Sequence, residues 1–385
     1  MTRLLAVRGA AAAAALSLAV GSVAFVATGA ATASPADPLR GTHDVVVDGP
    51  PPPKVYAKSW IVVDADTGDV LAAKNAHARL RPASTLKTLT AVTLLPRLDL
   101  DDQYRVRWED AHVMGSAVGI VPGSRYTVDQ LFYGLMLPSG NDAARALASA
   151  NGGLPKTVRQ MNQTARSLGA LDTHAVNPTG LDAPGQQSSA FDLAVFAREG
   201  LKDQDFRRYV STTSVAFPAQ EPKRDTKRKS FMIYNQNPLL IDGYRGILGV
   251  KTGYTTEAGR TYVAAAERGG TRLIVAAMGI VESSETAAAR LFEWGWKHGD
   301  ALTPVGSLDA PRLAVADTSP DASDPDASDP DVSTATGATA TLAGTTGGSD
   351  SDAQATGTGP GLLIWVVCGA LLIGAGWWLQ SRRRL

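Results

Sequence analysis

The pattern of apolar and polar positions predicts strands at both ends of a folded region, with helices between them. The apolar runs at 59–64 and 69–74 flank the turn sequence Ala65-Asp66-Thr67-Gly68, which predicts a β-hairpin. The sequence Arg268-Gly269-Gly270 predicts a second hairpin later in the chain. Three strand-like runs occupy this later part, at 249–254, 260–266 and 272–278.

Helical periodicity prevails between these two groups of strands. The segment that starts at Ser84 can be helical, and residues 96–215 have the pattern of helices and loops. Residues 285–297 form one more amphipathic helix after the last strand. The folded region predicted from these patterns covers residues 55–300.

The segment before the folded region has the pattern of an export signal. In residues 1–33, Arg3 and Arg8 precede an apolar run, and Ala31-Thr32-Ala33 offers a small-residue cleavage site. An uncleaved membrane anchor is the alternative, but a small-residue site soon after the apolar run favours cleavage. Residues 34–54 are low in apolar content and end in four prolines, which predicts a semi-rigid Pro-rich linker.

The segment after the folded region predicts a stalk and an anchor. Residues 301–360 contain an Asp-Ala-Ser-Asp-Pro repeat and a Thr/Ala/Gly/Ser-rich run, which predicts a disordered acidic stalk. Residues 361–380 carry no charge and are long enough for a single transmembrane helix. The basic tail at 381–385 then predicts a cytoplasmic C-terminus. We therefore expect an exported, single-pass protein of the cell membrane, with its folded domain outside the cytoplasm.

Charge and cysteine content exclude several classes of function. Lysine plus arginine number 37 and aspartate plus glutamate number 37, so the net charge is 0 and gives no reason to expect a nucleic-acid partner. The only cysteine is Cys368, which rules out a disulfide within the chain. The five histidines lack the spacing of metal ligands, so no metal and no other cofactor is expected.

The sequence Ser84-Thr85-Leu86-Lys87 places a hydroxyl and an amine three residues apart. In a helix, residues at this spacing share one face, so Lys87 could reach the oxygen of Ser84. A serine becomes a nucleophile when a base takes its proton, and a lysine can be that base if burial or a nearby cation lowers its pKa. Alone, the same four residues also fit an N-capping serine and a solvated lysine.

Two further motifs accompany this pair in a fixed order. Ser139-Gly140-Asn141 lies before a predicted helix, and Lys251-Thr252-Gly253 lies on a predicted strand. Ser-x-x-Lys, Ser-Asp-Asn and Lys-Thr-Gly together are the motif set of serine acyl-transfer enzymes that react with β-lactams, and Ser-Gly-Asn is a variant of the middle motif. A second Ser-x-Asn, at Ser149-Ala150-Asn151, precedes two glycines and fits the C-terminus of a helix instead.

The chain resembles the low-molecular-weight penicillin-binding proteins, specifically the serine D-alanyl-D-alanine carboxypeptidases of the S11 peptidase family. The resemblance covers roughly residues 55–300. It rests on four segments, at 81–88, 137–144, 177–181 and 251–255. It implies a mixed α/β fold, in which an antiparallel β-sheet is flanked by helices and carries an inserted, mainly helical subdomain, as in penicillin-binding proteins and β-lactamases. Many members have a further β-rich domain before the anchor, whereas here only 301–310 lies between the folded region and the low-complexity repeats of the predicted stalk.

The resemblance also implies a role for each motif residue. Ser84 is the nucleophile, Lys87 the general base and Ser139 a proton relay. The other implied residues bind the substrate or line its site: Asn141, Lys251, Thr252, Gly253 and Tyr254. Asn141 would also orient Lys87, Lys251 would keep Lys87 neutral, and the N–H groups of Ser84 and Tyr254 would form an oxyanion hole.

The expected substrate is a peptidoglycan stem peptide that ends in D-Ala-D-Ala, and β-lactam antibiotics would acylate the same serine. Three alternatives remain open from the sequence. A DD-transpeptidase or endopeptidase shares the chemistry, whereas a β-lactamase is less favoured because the Glu-x-x-Leu-Asn sequence of class A enzymes is absent. An inactive wall-binding scaffold is disfavoured because all the catalytic side chains are present.

Overall fold

A computed structural model describes residues 37–224 and 226–309 of the 385-residue chain. The predicted signal peptide, transmembrane helix and basic tail all lie outside these residues, as does the predicted stalk beyond residue 309. Among the described residues, no helix combines the length and apolar character needed to cross a bilayer.

In the described ranges, the long strands lie near both ends of the chain, and most of the helices lie between them. The strands are β1 (Val45–Val47), β2 (Ala57–Asp64), β3 (Asp69–Lys74), β4 (Gln103–Arg105), β5 (Arg125–Thr127), β6 (Ser214–Pro218), β7 (Ser230–Tyr234), β8 (Ile247–Thr255), β9 (Gly259–Arg268), β10 (Thr271–Ile280) and β11 (Gly306–Ser307). The helices are α1 (Lys87–Leu94), α2 (Trp108–Ala111), α3 (Val128–Met136), α4 (Asn141–Ala150), α5 (Leu154–Ser167), α6 (Ala190–Gly200), α7 (Gln204–Ser211), α8 (Pro238–Ile241) and α9 (Ser284–His298).

The main sheet is antiparallel, with the strand order β1-β3-β2-β10-β9-β8, and β11 also pairs with β3. Both predicted hairpins are present, since β2 pairs with β3 and β9 pairs with β10. Helices α1 to α8 lie between β3 and β8 in the chain, together with two small two-stranded sheets, β4 with β5 and β6 with β7. The predicted mixed α/β fold with an inserted helical part is therefore confirmed.

Both faces of the central strands are buried, which explains their continuous apolar sequences. In β2, Ile61 and Val63 belong to the core shared with the helical part of the chain. Trp60 and Val62 point to the opposite face and belong to the core that includes Leu291 and Phe292 of α9. A strand covered by helices on both faces has no solvent side, so it does not show a polar residue at every second position.

The folded region is longer at both ends than the sequence predicted. Within the predicted linker, Val45–Val47 forms β1 and pairs with β3. Within the predicted stalk, Gly306–Ser307 forms β11, and Leu302 and Leu308 are buried. These short strands cover backbone groups of β3 that would otherwise be open at the edge of the sheet. Strands of two or three residues are too short to show periodicity, so the sequence pattern missed them.

A buried histidine attaches the N-terminal segment to the helical part of the protein. Nε2 of His77 lies 3.0 Å from Oδ2 of Asp37, and Nδ1 lies 2.6 Å from Oδ2 of Asp172. The ring also stacks on Phe191, with 4.5 Å between centroids. Arg40 donates to the other oxygen of Asp172 at 3.0 Å. Burial alone would lower the pKa of His77, but the hydrogen bonds and charges of the two aspartates outweigh it and raise that pKa. The pKa of Asp172 falls to about 2: burial would raise it, and His77 and Arg40 outweigh that effect.

The raised pKa of His77 predicts a pH-dependent free energy of unfolding. The folded state binds the histidine proton more tightly than the unfolded state, whose imidazole has a pKa of about 6.5. The resulting stabilisation is complete below that value and is lost as the pH rises through the folded-state pKa. We expect urea midpoints of the wild type to fall between pH 6 and pH 9, and the His77→Asn variant to lack most of this decrease.

The exposed His174 provides the matched control, because its side chain faces solvent. His174→Asn should keep the wild-type decrease. Equal decreases in the wild type and His77→Asn would contradict the linkage.

Candidate active site

Ser84 lies in a tight turn that leads directly into α1. The sequence predicted that Ser84 starts a helix; the structure places it in a 3-10 turn, Ala83–Leu86, and the α-helix begins at Lys87. Ala83 has φ 49°, a left-handed conformation that is unfavourable for a residue with a Cβ. Thr261 of β9 donates to the carbonyl of Pro82 at 2.8 Å. Contacts from the surrounding structure therefore hold a strained turn in place, as is common at functional sites.

Lys87 is fully buried, and its amine contacts three oxygen atoms. Nζ lies 3.0 Å from Oγ of Ser84, 2.7 Å from Oδ1 of Asn141 and 2.7 Å from the carbonyl oxygen of Thr179. Asn141 in turn donates through Nδ2 to the carbonyl of Met114 at 2.7 Å, which fixes the orientation of its amide. The two carbonyl-type oxygens can only accept hydrogen bonds. A neutral Lys87 amine donates to both, and its lone pair is then left for the proton of Ser84.

The electrostatic surroundings favour this neutral amine. Burial lowers the pKa of Lys87 well below its usual value, and the charge of Lys251 lowers it further, while Asp142 opposes the decrease. Lys251 is also buried, which lowers its pKa to about 7. Two nearby buried amines disfavour being charged at the same time, and Lys87 is the one with a second cause of a lowered pKa, the charge of Lys251. We therefore assign the neutral form to Lys87 and the proton to Lys251.

Ser139 brings an unpaired hydroxyl into the same site. Its backbone is left-handed, with φ 64°, and the residue is 3% exposed. Within residues 37–224 and 226–309, its Oγ has no hydrogen-bond partner. A buried hydroxyl without a partner is costly, and in a strained backbone it indicates a functional role. The second Ser-x-Asn sequence, Ser149-Ala150-Asn151, lies at the end of α4 and not in this site. Asn151 caps that helix and donates to Thr157 and Gln160.

Strand β8 carries the third motif along an edge of the main sheet. Lys251 donates to the carbonyl of Thr252 at 2.9 Å, and Tyr254 is 65% exposed. Gly253 packs against the serine turn so closely that a Cβ there would lie 2.8 Å from the backbone N of Ser84. It would also lie 2.4 Å from Oγ1 of Thr261. The glycine of the motif is therefore required for the close approach of β8 to the N–H of Ser84.

A cavity of about 340 Å³ joins these groups. Ser84, Ser139, Thr252, Gly253 and Tyr254 line it, so the structure brings together residues that are far apart in the sequence. Lys87, Asn141 and Lys251 lie buried behind this surface.

The cavity is also lined by residues that the sequence did not indicate: Ser116, Gln236, Pro238, Arg260, Thr261, Ser284 and Glu285. Arg260 is opposite Tyr254 in the register of β8 and β9, so this residue lies beside the motif strand and lines the cavity. An arginine next to a strand-like run has no distinctive pattern, so only the register could have identified it. Thr179 was part of a segment that carried the resemblance, but its carbonyl contact with Lys87 has no signature in the sequence.

Comparison with known proteins supports the family resemblance that the sequence motifs indicate. A sequence profile of the S11 peptidases, described as D-alanyl-D-alanine carboxypeptidase, matches residues 46–281. The D-alanyl-D-alanine carboxypeptidase DacB2 of Mycobacterium tuberculosis is 41% identical over 273 residues, which cover 68% of this chain and 88% of that protein. DacF of Bacillus subtilis, also named a D-alanyl-D-alanine carboxypeptidase, is 36% identical over 60% of this chain and 59% of its own length.

Solved structures agree with the sequence matches. The crystal structure of a D-alanyl-D-alanine carboxypeptidase from M. tuberculosis superposes with a TM-score of 0.64 at 40% identity, covering 68% of this chain and 99% of that chain. The Streptomyces K15 DD-transpeptidase gives a TM-score of 0.60 at 30% identity, covering 64% of this chain and 100% of that chain. The sequence motifs, the buried lysine beside Ser84 and these matches lead to one conclusion: this chain belongs to the S11 family of serine-type D-alanyl-D-alanine carboxypeptidases.

Proposed function

We propose that the protein removes the terminal D-alanine from peptidoglycan stem peptides through an acyl-enzyme on Ser84, and so takes part in cell-wall remodelling. The observation that carries this mechanism is the environment of Lys87. Its buried amine lies 3.0 Å from Ser84 Oγ, and both of its other contacts are acceptors. This arrangement gives Lys87 the properties of a general base.

In the first step, Ser84 Oγ attacks the carbonyl of the penultimate residue, and its proton passes to Lys87. The carbonyl oxygen becomes negatively charged and needs hydrogen-bond donors. We propose the backbone N–H groups of Ser84 and Tyr254 as the oxyanion hole, and the close approach of Gly253 to the N–H of Ser84 supports this role. Each such donor typically lowers the barrier by about 2.7–4 kcal/mol.

In the second step, the leaving amine needs a proton before it can depart as free D-alanine. The buried hydroxyl of Ser139, which has no hydrogen-bond partner among the described residues, supports its role as the relay between Lys87 and this amine. Water then attacks the ester on Ser84, with Lys87 again accepting a proton, and releases the shortened peptide.

Cationic groups and the edge of β8 account for substrate recognition. The terminal carboxylate of the substrate would bind to Thr252 and the guanidinium of Arg260, which line the cavity, while the charge of Lys251 attracts it from behind. Within the described residues, β8 pairs only with β9, so its other edge can add an extended peptide as a further strand. Asn141 would bind the substrate backbone in addition to Lys87.

We also propose that β-lactam antibiotics acylate Ser84 and that the protein is exported and held at the cell membrane. The second proposal rests on the sequence of the signal at 1–33 and of the apolar segment at 361–380, which lie outside the described residues. The stalk of this layout would begin after residue 309, because the segment up to 309 belongs to the fold.

A DD-transpeptidase is the second candidate activity, and the fold shared with the Streptomyces K15 DD-transpeptidase favours it. Both activities form the same acyl-enzyme, and they differ in whether water or an amine accepts the acyl group. The products separate them: hydrolysis shortens the stem peptide by one alanine, whereas transfer joins it to the added amine.

The first prediction of this mechanism concerns the nucleophile, Ser84. Wild-type protein incubated with a fluorescent penicillin should become covalently labelled, and should release D-alanine from a peptide ending in D-Ala-D-Ala. Ser84→Ala should lose both reactions, because no other group can form the ester. An unlabelled wild type, or equal labelling of Ser84→Ala, would refute the assignment. Ser149→Ala, in the rejected motif, is the control and should be labelled at the wild-type rate.

The second prediction concerns pH. The wild-type kcat/KM should rise as Lys87 loses its proton and fall near pH 7, where Lys251 loses the charge that attracts the carboxylate. In Lys251→Gln, the falling limb due to Lys251 should disappear. The rising limb should move to higher pH, because the cation that lowers the pKa of Lys87 is absent. Peptide hydrolysis measured from pH 4 to 10 tests both shifts, with the exposed Lys58→Gln as control. If both limbs of the kcat/KM profile of Lys251→Gln stay at their wild-type pH, the assignment of a neutral Lys87 and a charged Lys251 is contradicted.

The third prediction concerns Gly253. A methyl group at this position should push β8 away from the N–H of Ser84. We expect Gly253→Ala to lower the second-order rate constant for penicillin acylation at least tenfold. Gly299→Ala is the control, since no atom of the described part of the chain lies within 4 Å of a Cβ built there. Acylation of Gly253→Ala at the wild-type rate would show that the close approach is not needed.

A further inference from the structure

The carboxylate of Asp142, immediately after the motif residue Asn141, makes hydrogen bonds that the proposed reaction does not use. Asp142 is 1% exposed. Its oxygens accept hydrogen bonds from three successive backbone N–H groups, those of Val118 at 2.9 Å, Gly119 at 2.8 Å and Ile120 at 3.1 Å. These donors belong to a loop without regular secondary structure. One buried side chain therefore replaces the hydrogen bonds that a helix or sheet would give this loop.

The same loop also holds Asn141 in place. The backbone N–H of Asn141 donates to the carbonyl of Ser116 at 2.7 Å, and its side-chain Nδ2 donates to the carbonyl of Met114 at 2.7 Å. Gly115 lies between these two carbonyls, and a Cβ there would be 2.8 Å from Nδ2 of Asn141. Ser116 is also part of the cavity wall beside Ser84. The position of the loop thus decides where the amide of Asn141 points.

We propose that Asp142 is a positioning residue, which holds the loop at 114–120 against Asn141 so that the Asn141 oxygen meets Lys87 and Ser116 closes the cavity wall. This inference rests on the proposed function of Lys87 and Asn141. It assigns a role to a side chain that does not touch the reacting atoms.

The energy of a buried carboxylate supports this role. Removing a carboxylate from water is costly unless charge-assisted hydrogen bonds replace its hydration. Asp142 lies in the first turn of α4, where the helix dipole favours a negative charge, and it also accepts from the N–H of Ala143 at 2.9 Å. If Asp142 served only α4, the hydrogen bond from the N–H of Ala143 would be sufficient. The three bonds to the loop are additional and join two separate segments of the chain.

The charge of Asp142 also acts on Lys87. It opposes the lowering of the pKa of Lys87 that burial and Lys251 cause. Replacing Asp142 by asparagine keeps the size of the side chain but removes this charge. One acceptor oxygen is replaced by an NH₂ group, which would face the N–H donors of the loop. The substitution should therefore disturb the loop and lower the pKa of Lys87 at the same time.

The test compares Asp142→Asn with Asp192→Asn in penicillin acylation and peptide hydrolysis from pH 4 to 10. Asp192 is a matched control, since it is fully buried in the first turn of α6 and accepts hydrogen bonds from Asp172 and Thr173. We expect Asp142→Asn to lower the acylation rate constant at least tenfold and to move the acidic limb of kcat/KM to lower pH. Asp192→Asn should leave that limb where the wild type has it.

An acidic limb that does not move, with acylation within twofold of the wild type, would overturn the inference. Hydrogen exchange of the wild-type protein adds a measurement that does not depend on the folding of a variant. The amides of Val118, Gly119 and Ile120 should exchange at least a hundredfold more slowly than in a free peptide, and exchange at free-peptide rates would equally overturn the inference. Wild-type acylation by penicillin in the same assay tests the proposed function separately.

Discussion

The site depends on the burial of one lysine amine among three oxygen atoms. An ammonium group in this position would lose its hydration, and the neighbouring Lys251 makes its charge still less favourable. The protein therefore stabilises the form of Lys87 that can accept a proton. The contacts with Asn141 and Thr179 use the amine's own hydrogens, so the lone pair is left for Ser84. Burial thus favours the basic form of Lys87, and the two hydrogen bonds set the direction of its lone pair.

The fold brings this amine together with groups from four separate segments. The serine turn begins α1, Asn141 begins α4, Thr179 lies in a loop before α6, and Lys251 lies on β8. The turn is fixed to the sheet through the carbonyl of Pro82 and to β8 through the space that Gly253 leaves. A sheet packed on both faces provides a rigid support for such contacts. The part of the chain between β3 and β8 supplies the other two groups, the amide of Asn141 and the carbonyl of Thr179.

The sequence predicted the central strands, the two hairpins and the helices after Ser84 and Asn141, because these elements are long and have strong patterns. It missed β1 and β11, which are too short for periodicity and form because the edge of β3 needs partners. The motif side chains could be recognised because serine, lysine and asparagine occur there in a known order. Arg260 could not be recognised in this way, since its position depends on the register between two strands.

Groups that act through their backbone or their packing are also hard to recognise from the sequence. The carbonyl of Thr179 accepts a hydrogen bond from Lys87, and Gly253 leaves space for the serine turn. Neither role depends on a side chain that a motif would record. Asp142 has a recognisable side chain, but its loop donors lie 22–24 residues earlier in the chain. Local sequence patterns do not report contacts of that range.

The contact between Lys87 and the carbonyl of Thr179 has a consequence for how the site tolerates mutation. Every amino acid has a main-chain carbonyl, so a different side chain at position 179 can still supply this acceptor. The neighbouring Gly180 is the vulnerable position: its φ is +83°, and a Cβ there would lie 1.8 Å from the carbonyl oxygen of Ala83. Genetic variation in this loop should therefore be restricted by the backbone shape at position 180 more than by the chemistry at position 179.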